Sequence, residues 1–198
     1  MNLLAATLTK VVEPMGHTVF NYGQYSAEDS APLTYVQNGI LAAILLNSGA
    51  ADYVVTGCGT GAGAMLVCNS FPGVICGLAI DPADGYMFAQ INDGNAIFSA
   101  VRQRLWLGAE LNLQYIFEKL FECEGGQGYP RDRVIPEQRN KKILDAVKAI
   151  AYKDLLTILQ GIDQALLKGA ISGPKFQEYF FANSKDEALS RYIKSLLA

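Results

Sequence analysis

The 198-residue sequence carries 16 lysines and arginines against 19 aspartates and glutamates, and its formal net charge of −3 excludes a broad nucleic-acid-binding surface. Hydrophobic residues make up 51% and charged residues 18%, which is enough apolar material for a folded core and excludes a disordered chain. The single histidine, His17, excludes a His-rich metal site and any mechanism that needs two imidazoles. In chain order, helical spacing of Leu3, Leu4, Leu8, Val11 and Val12 predicts a helix over 2–13, ended by Pro14 and Gly16. Residues 18–23 (TVFNYG) read as a strand and 34–48 as a largely buried helix ending at Gly49. A short apolar strand follows at 52–57, then a glycine-rich turn and a small-residue helix through Asn69. Further strands are expected at 74–80 and 95–99, with helices at 82–91 and 107–122. Residues 124–142 hold glycine, proline and charge and read as an extended connection. Residues 143–198 read as helices separated by Gly161, Gly169 and the Ser172-Gly173-Pro174 turn.

Strands alternate with helices, and the strands are continuous apolar runs. That pattern predicts an α/β fold: a Rossmann-like, doubly wound parallel sheet in three layers, with its site at the carboxyl ends of the strands. Residues 1–150 form the expected core and 151–198 a helical C-terminal extension, whose apolar faces would buttress the subunit or widen a dimer and close over a neighbouring site. A doubly wound sheet ordinarily begins with a strand, whereas this sequence opens on a helix. The residues leave open whether a first strand is missing from this sequence or was never there. Four cysteines with no C-x-x-C pair read as reduced thiols, and no signal peptide or membrane span is visible, so a cytoplasmic protein is expected. Cys68, Cys76 and Cys123 read as structural. Trp106, Tyr115, Phe117 and Phe121 read as core or dimer surface.

The most informative segment is Gly57-Cys58-Gly59-Thr60-Gly61-Ala62-Gly63, between a strand and a helix. Alternate glycines permit close backbone approach. Amides at the new helix N-terminus favour an anion, and the same helix end favours the thiolate of a cysteine placed there. The loop thus offers Cys58 as a base or nucleophile beside an oxyanion hole. Two other readings stand beside this one. Gly57, Gly59 and Ala62 satisfy G-x-G-x-x-A with Asp81 24 residues on, a dinucleotide fingerprint. Alternatively the glycines serve a tight turn and Cys58 is a small buried side chain.

The loop, then Asn69, Pro72-Gly73, Asn92-Asp93-Gly94-Asn95 and the Gly125-Gly126 pair followed by arginines, resemble in order the RpiB/LacA/LacB sugar-phosphate isomerase family over roughly residues 16–150. The resemblance implies a metal-independent aldose–ketose isomerase with no cofactor, working as a homodimer or homotetramer with its sites between subunits. It implies Cys58 as the base moving a proton between C1 and C2, because Ala64 and Met65 stand where another branch carries a glutamate. Thr60 and the amides around Gly61 and Gly63, with Gly59, would stabilise the enediolate. Tyr35 falls at the family's substrate-contacting tyrosine, and Asn92 and Asn95 would orient substrate hydroxyls or hold the site loop.

The family's ring-opening histidine stands immediately before the Asn motif, and here that position is Ile91. His17 reads as a surface turn residue. The departure points to an anionic, open-chain substrate, such as a tetrose phosphate or a 4-deoxy-5-keto-uronate. Arg131, Arg133, Arg139, Lys141 and Lys142 face only Asp132 and Glu137, and the three arginines are the candidates for binding its phosphate or carboxylate. Two further functions stay open: a nucleotide-cofactor enzyme using the glycine loop, and a non-catalytic sugar-phosphate binder.

Overall fold

The computed structural model describes residues 3–23, 33–58, 62–100 and 108–198. Three parallel strands, β1 (Val54–Cys58), β2 (Cys76–Ala79) and β3 (Ala96–Ala100), form a sheet in the order β1-β3-β2. Val54 stands opposite Ala96 and Cys58 opposite Ala100 on one side of β3; Cys76 stands opposite Ala96 on the other. The central strand is apolar on both faces, as a covered parallel sheet requires, and Ala96, Ile97 and Phe98 are fully buried.

Side-chain alternation sends the two faces into separate cores. Val54, Cys76, Ala96 and Phe98 pack with α2 (Tyr35–Asn47) and α3 (Ala62–Asn69). Ile97 and Ala79 pack with α1 (Leu3–Val12) and α5 (Ala109–Leu120), beside α4 (Pro82–Met87). Helix α2 opens on a capping box: Thr34 Oγ1 accepts from the Gln37 amide at 3.2 Å, and Gln37 Oε1 accepts from the Thr34 amide at 2.9 Å. Every residue from Gly39 to Leu45 is buried, because α2 is covered on its outer side as well. Helices α7 (Leu155–Gly161), α8 (Gln164–Ile171), α9 (Pro174–Asn183) and α10 (Glu187–Leu197) contribute Leu159, Leu167, Phe176, Phe180 and Ile193 to the same core. The C-terminal helices therefore buttress α2.

Several expectations need correction. Residues 18–22 form no strand: among the described residues they pair with no other segment, and a cavity separates them from β1. The stretch 124–142 is largely helical, because α6 (Val134–Ala151) begins at Val134 and Pro136 sits in its first turn, where a missing amide costs nothing. Gly169 lies inside α8 rather than between helices. The helix expected over 82–91 gives way after Met87 to a single π-type turn, Phe88–Asn92. Cys68 and Cys76 are buried, but Cys123 is exposed. Trp106 lies outside the described residues. Among the described residues, no helix is long and apolar enough to cross a membrane.

Candidate active site

Because the strands are parallel, their carboxyl ends share one edge of the sheet, and Cys58 closes β1 at that edge. Gly59, Thr60 and Gly61 and the Cys58 side chain lie outside the described residues; the chain re-enters at Ala62 as the first residue of α3. Tyr35, the first residue of α2, lies across that helix start. A Cβ on Gly63 would stand 3.2 Å from Cδ2 and Cε2 of the Tyr35 ring, so only glycine lets the ring rest there undisturbed. Tyr35 is 49% exposed, leaving its outer face open beside the loop. Cys58, Gly63 and Tyr35 thus gather at the carboxyl edge.

The Asn motif gathers elsewhere. Asn95 immediately precedes β3, so it lies at the amino edge of the sheet. Its Oδ1 accepts from the Ile75 amide at 2.9 Å and its Nδ2 donates to Gly73 O at 2.7 Å, so the whole amide holds the connection into β2. Asn69 does the same from α3, bonding both the amide and the carbonyl of Cys76. Asp93 adopts φ 46° and lays its carboxylate on the Gly125–Gly126 turn, where a Cβ on Gly125 would come within 2.6 Å of Asp93 Oδ1. The Gly126 amide donates to Ala89 O at 2.9 Å and Gln138 Nε2 to Gly126 O at 2.9 Å, tying the turn to α6. Asn92 is exposed at the end of the π-type turn. Beside it, Ile91, Asp93, Lys141 and Lys142 line a cavity of about 340 Å³.

Arg131 and Arg133 occupy a 3₁₀ turn that leads into α6, with Arg133 at the helix cap, and Arg139 lies on α6. All three are exposed and make no ion pair among the described residues, whereas Lys141 Nζ is held by Asp145 at 2.8 Å. Cys58 lies four residues along β1 from Val54, which is level with the start of β3, so the Cys loop and the Asn motif stand about 15 Å apart at a strand rise of about 3.3 Å per residue. His17 is exposed, in the segment that leads from α1 to the amino side of the sheet, with its ring 5.2 Å from that of Phe121.

The dinucleotide fingerprint is not met. Asp81 follows β2, which β3 separates from β1, and its carboxylate caps α4 by accepting from the Asp84 amide at 3.0 Å. Among the described residues, no group of three or more His, Cys, Asp or Glu could hold a metal ion.

Two features escaped the sequence reading. Gln37 braces the cap beside Tyr35, and the T-x-x-Q spacing before an apolar run was its signal. An apolar stripe on α6 was split by reading 124–142 as extended and starting the helix at residue 143. Ile135, Ile143, Val147 and Ile150 recur at helical spacing and are 78, 55, 55 and 88% exposed.

No curated protein sequence matches the chain. A 4-deoxy-L-threo-5-hexosulose-uronate ketol-isomerase, solved with a tartrate, is 56% identical, with a TM-score of 0.96 over 98% of this chain and 92% of that one. A ribose-5-phosphate isomerase from Vibrio parahaemolyticus is 47% identical, with a TM-score of 0.95 over 98% and 91%. At 18% identity, a type B ribose 5-phosphate isomerase from Trypanosoma cruzi shares the fold, with a TM-score of 0.59 over 76% of this chain and 88% of that one. A family described as ribose-5-phosphate isomerase matches residues 150–196. The ribose/galactose isomerase family signature spans residues 2–116, and with relatives this similar the chain belongs to that family.

Proposed function

We propose that this sugar isomerase interconverts the aldose and ketose forms of an open-chain sugar acid of the 4-deoxy-5-keto-uronate class, with Cys58 as the base. The carrying observation is Ile91, a side chain that cannot open a sugar ring, at the position where the resemblance places the ring-opening histidine. A substrate that is already open needs no such group. The 56% identity to a uronate ketol-isomerase supports the same substrate class.

In the proposed reaction the Cys58 thiolate removes the proton on C2 of the aldose. The C–H electron pair becomes the C1–C2 double bond, and the carbonyl π pair moves to O1, giving an enediolate. The proton on O2 passes to O1, and the thiol then returns its proton to C1 as the O2 electron pair closes the C2 ketone. The α3 N-terminus favours the thiolate and the developing oxyanion, which the Thr60 hydroxyl and the amides from Gly61 to Gly63 would hold.

The separation of the two residue groups supports a site built from two copies of the chain. Cys58 and Tyr35 would come from one copy; Asn92 and the arginines Arg131, Arg133 and Arg139, binding the carboxylate, would come from the other. Complementation tests this arrangement. Cys58→Ala and Arg133→Ala are each inactive alone, but a mixed dimer restores one wild-type site, so statistical mixing returns about a quarter of the activity. No recovery would mean that both residues serve the same copy's site. Turnover in D₂O tests the chemistry: deuterium enters C1 of the ketose from the keto-uronate, and Cys58→Ala abolishes it. Equal or faster turnover of ribose 5-phosphate would overturn the substrate assignment.

A further inference from the structure

Ile91 is held firmly in place. It lies in the π-type turn Phe88–Asn92 and is half-buried. Its neighbour Gln90 is 1% exposed; Gln90 O accepts from the Gly128 amide at 2.9 Å, and Gln90 Nε2 donates to Glu124 O at 3.3 Å. One residue earlier, Ala89 O accepts from the Gly126 amide at 2.9 Å. The turn is thus pinned to residues 124–128 over two consecutive positions. With its branched Cβ stiff about χ1, Ile91 presents a fixed aliphatic surface to the cavity of about 340 Å³ beside Asn92. Among the described residues that line this cavity, Ile91 carries the one apolar side chain, and Asp93, Gln127, Gln138 and Lys142 are polar or charged.

We propose that Ile91 is a specificity-determining residue: it contacts C4 of the substrate and selects sugars that carry no hydroxyl there. This assignment rests on the substrate class proposed above and adds the contact that chooses it.

The chemistry of the substrate singles out C4. In an open-chain 4-deoxy-5-keto-uronate, C1 is an aldehyde, C2 and C3 carry hydroxyls, C5 is a ketone and C6 a carboxylate. Only C4, a methylene, bears no oxygen. Any other carbon placed against Ile91 would set a desolvated polar group on a side chain that can neither donate nor accept. The ends of the chain agree with this. C1 and C2 are engaged at Cys58, where the proton moves, and C6 at the arginines, so the middle of the chain is left for the wall beside Asn92. The polar neighbours of Ile91 suit the flanking carbons. Gln138 Nε2 donates to Gly126 O at 2.9 Å and Gln127 Nε2 to Gly125 O at 3.3 Å, so each amide leaves its Oε1 to accept from a hydroxyl such as that on C3. An aliphatic wall of this kind rejects an added hydroxyl by up to about a hundredfold.

The test measures kcat/KM for a 4-deoxy-5-keto-uronate and for the 5-keto-uronate that retains its 4-hydroxyl, with the parent chain, Ile91→Val and Ile91→Thr. Valine and threonine have nearly the same shape, and threonine adds a hydroxyl that can partner the one on C4. The hydroxylated acid can close a ring through its 4-hydroxyl, but its open fraction belongs to the substrate and cancels when ratios are compared between variants. A ratio taken on one sample is also independent of how much of that variant is folded. Ile91→Val is expected to keep the parent's preference for the 4-deoxy acid within about threefold, and Ile91→Thr to lower it by about tenfold, through faster use of the hydroxylated acid. A preference unchanged by Ile91→Thr, or lowered equally by Ile91→Val, would overturn the role of Ile91 while leaving the substrate class intact. Turnover of neither acid by the parent chain would overturn the substrate class and the role of Ile91 with it.

Discussion

The ring of Tyr35 rests on the backbone of Gly63, 3.2 Å from where a Cβ would stand, and so couples the start of α2 to the start of the loop helix. Gly63→Ala adds helix propensity worth about 0.5–1 kcal/mol and one tight contact against a ring that is 49% exposed and free to shift. The two effects nearly cancel in stability but not in position. The expected result is a melting temperature close to that of the parent with a raised KM, because Tyr35 leaves its place beside the loop. Steady-state kinetics with thermal unfolding on the same samples checks it; an unchanged KM would remove Tyr35 from the substrate's contacts.

Deeper along the same helix pair the outcome reverses. A Cβ on Gly39 would come 2.3 Å from Val67 Cγ1 and 2.9 Å from Val67 Cβ, within packed surroundings that have no free end to move. Gly39→Ala is expected to cost about 1–3 kcal/mol by overpacking the α2–α3 contact. Val67→Ala added to it should recover part of the loss, since the two sites share one contact. Denaturant unfolding of both single variants and the double variant measures the coupling; simple additivity would mean the helices do not meet at these residues.

How much of this was legible in the sequence depended on which constraint was local. Apolar runs announced β1, β2 and β3 because parallel central strands need hydrophobic contact on both faces, and helical spacing announced α1, α2 and α5. The Cys58 loop was legible because glycines and a cysteine in that order carry chemistry of their own. Residues 18–22 have strand-like side chains but pair with no other segment among the described residues, and pairing is not a property of one segment. The α6 start was obscured because Pro136 and Gly128 read as breakers, although a proline in a first turn interrupts nothing. That Asn95 is held by Ile75 and Gly73, at the edge opposite Cys58, depends on strand order, which no short motif encodes.

The cap of α7 makes stability depend on pH. Asp154 Oδ2 accepts from the Thr157 hydroxyl at 2.6 Å and Oδ1 from the Thr157 amide at 2.9 Å. These bonds, the hydroxyl first, hold its carboxyl below the ordinary value of 3.8. A depressed folded pKa contributes stability that is present above the unfolded value and lost as pH falls through the folded one. Asp154→Ala should therefore lower the melting temperature at neutral pH, with the difference from the parent shrinking below about pH 4. Thermal unfolding of both chains across that window checks the sign; a gap that widened on acidification would contradict it.

The stripe on α6 gives the sharpest prediction about assembly. Ile135, Ile143, Val147 and Ile150 lie on one face with Arg139 between them, and no residue of this 18-residue helix is buried within the chain. An aliphatic face of that length ordinarily finds a partner surface. A second copy is the partner expected, because the same helix carries Arg139 and opens at Arg133, which the proposed site needs from a neighbouring chain. Ile143→Lys with Ile150→Lys removes nothing from the interior of one chain, so helix content by circular dichroism should match the parent. Sedimentation should shift from a dimer or larger assembly to a species near 21.4 kDa. Isomerase activity should fall with it, in proportion to the dimer lost at each protein concentration. A double variant that sediments as the parent does and turns over at the parent's rate would detach the stripe from both assembly and catalysis.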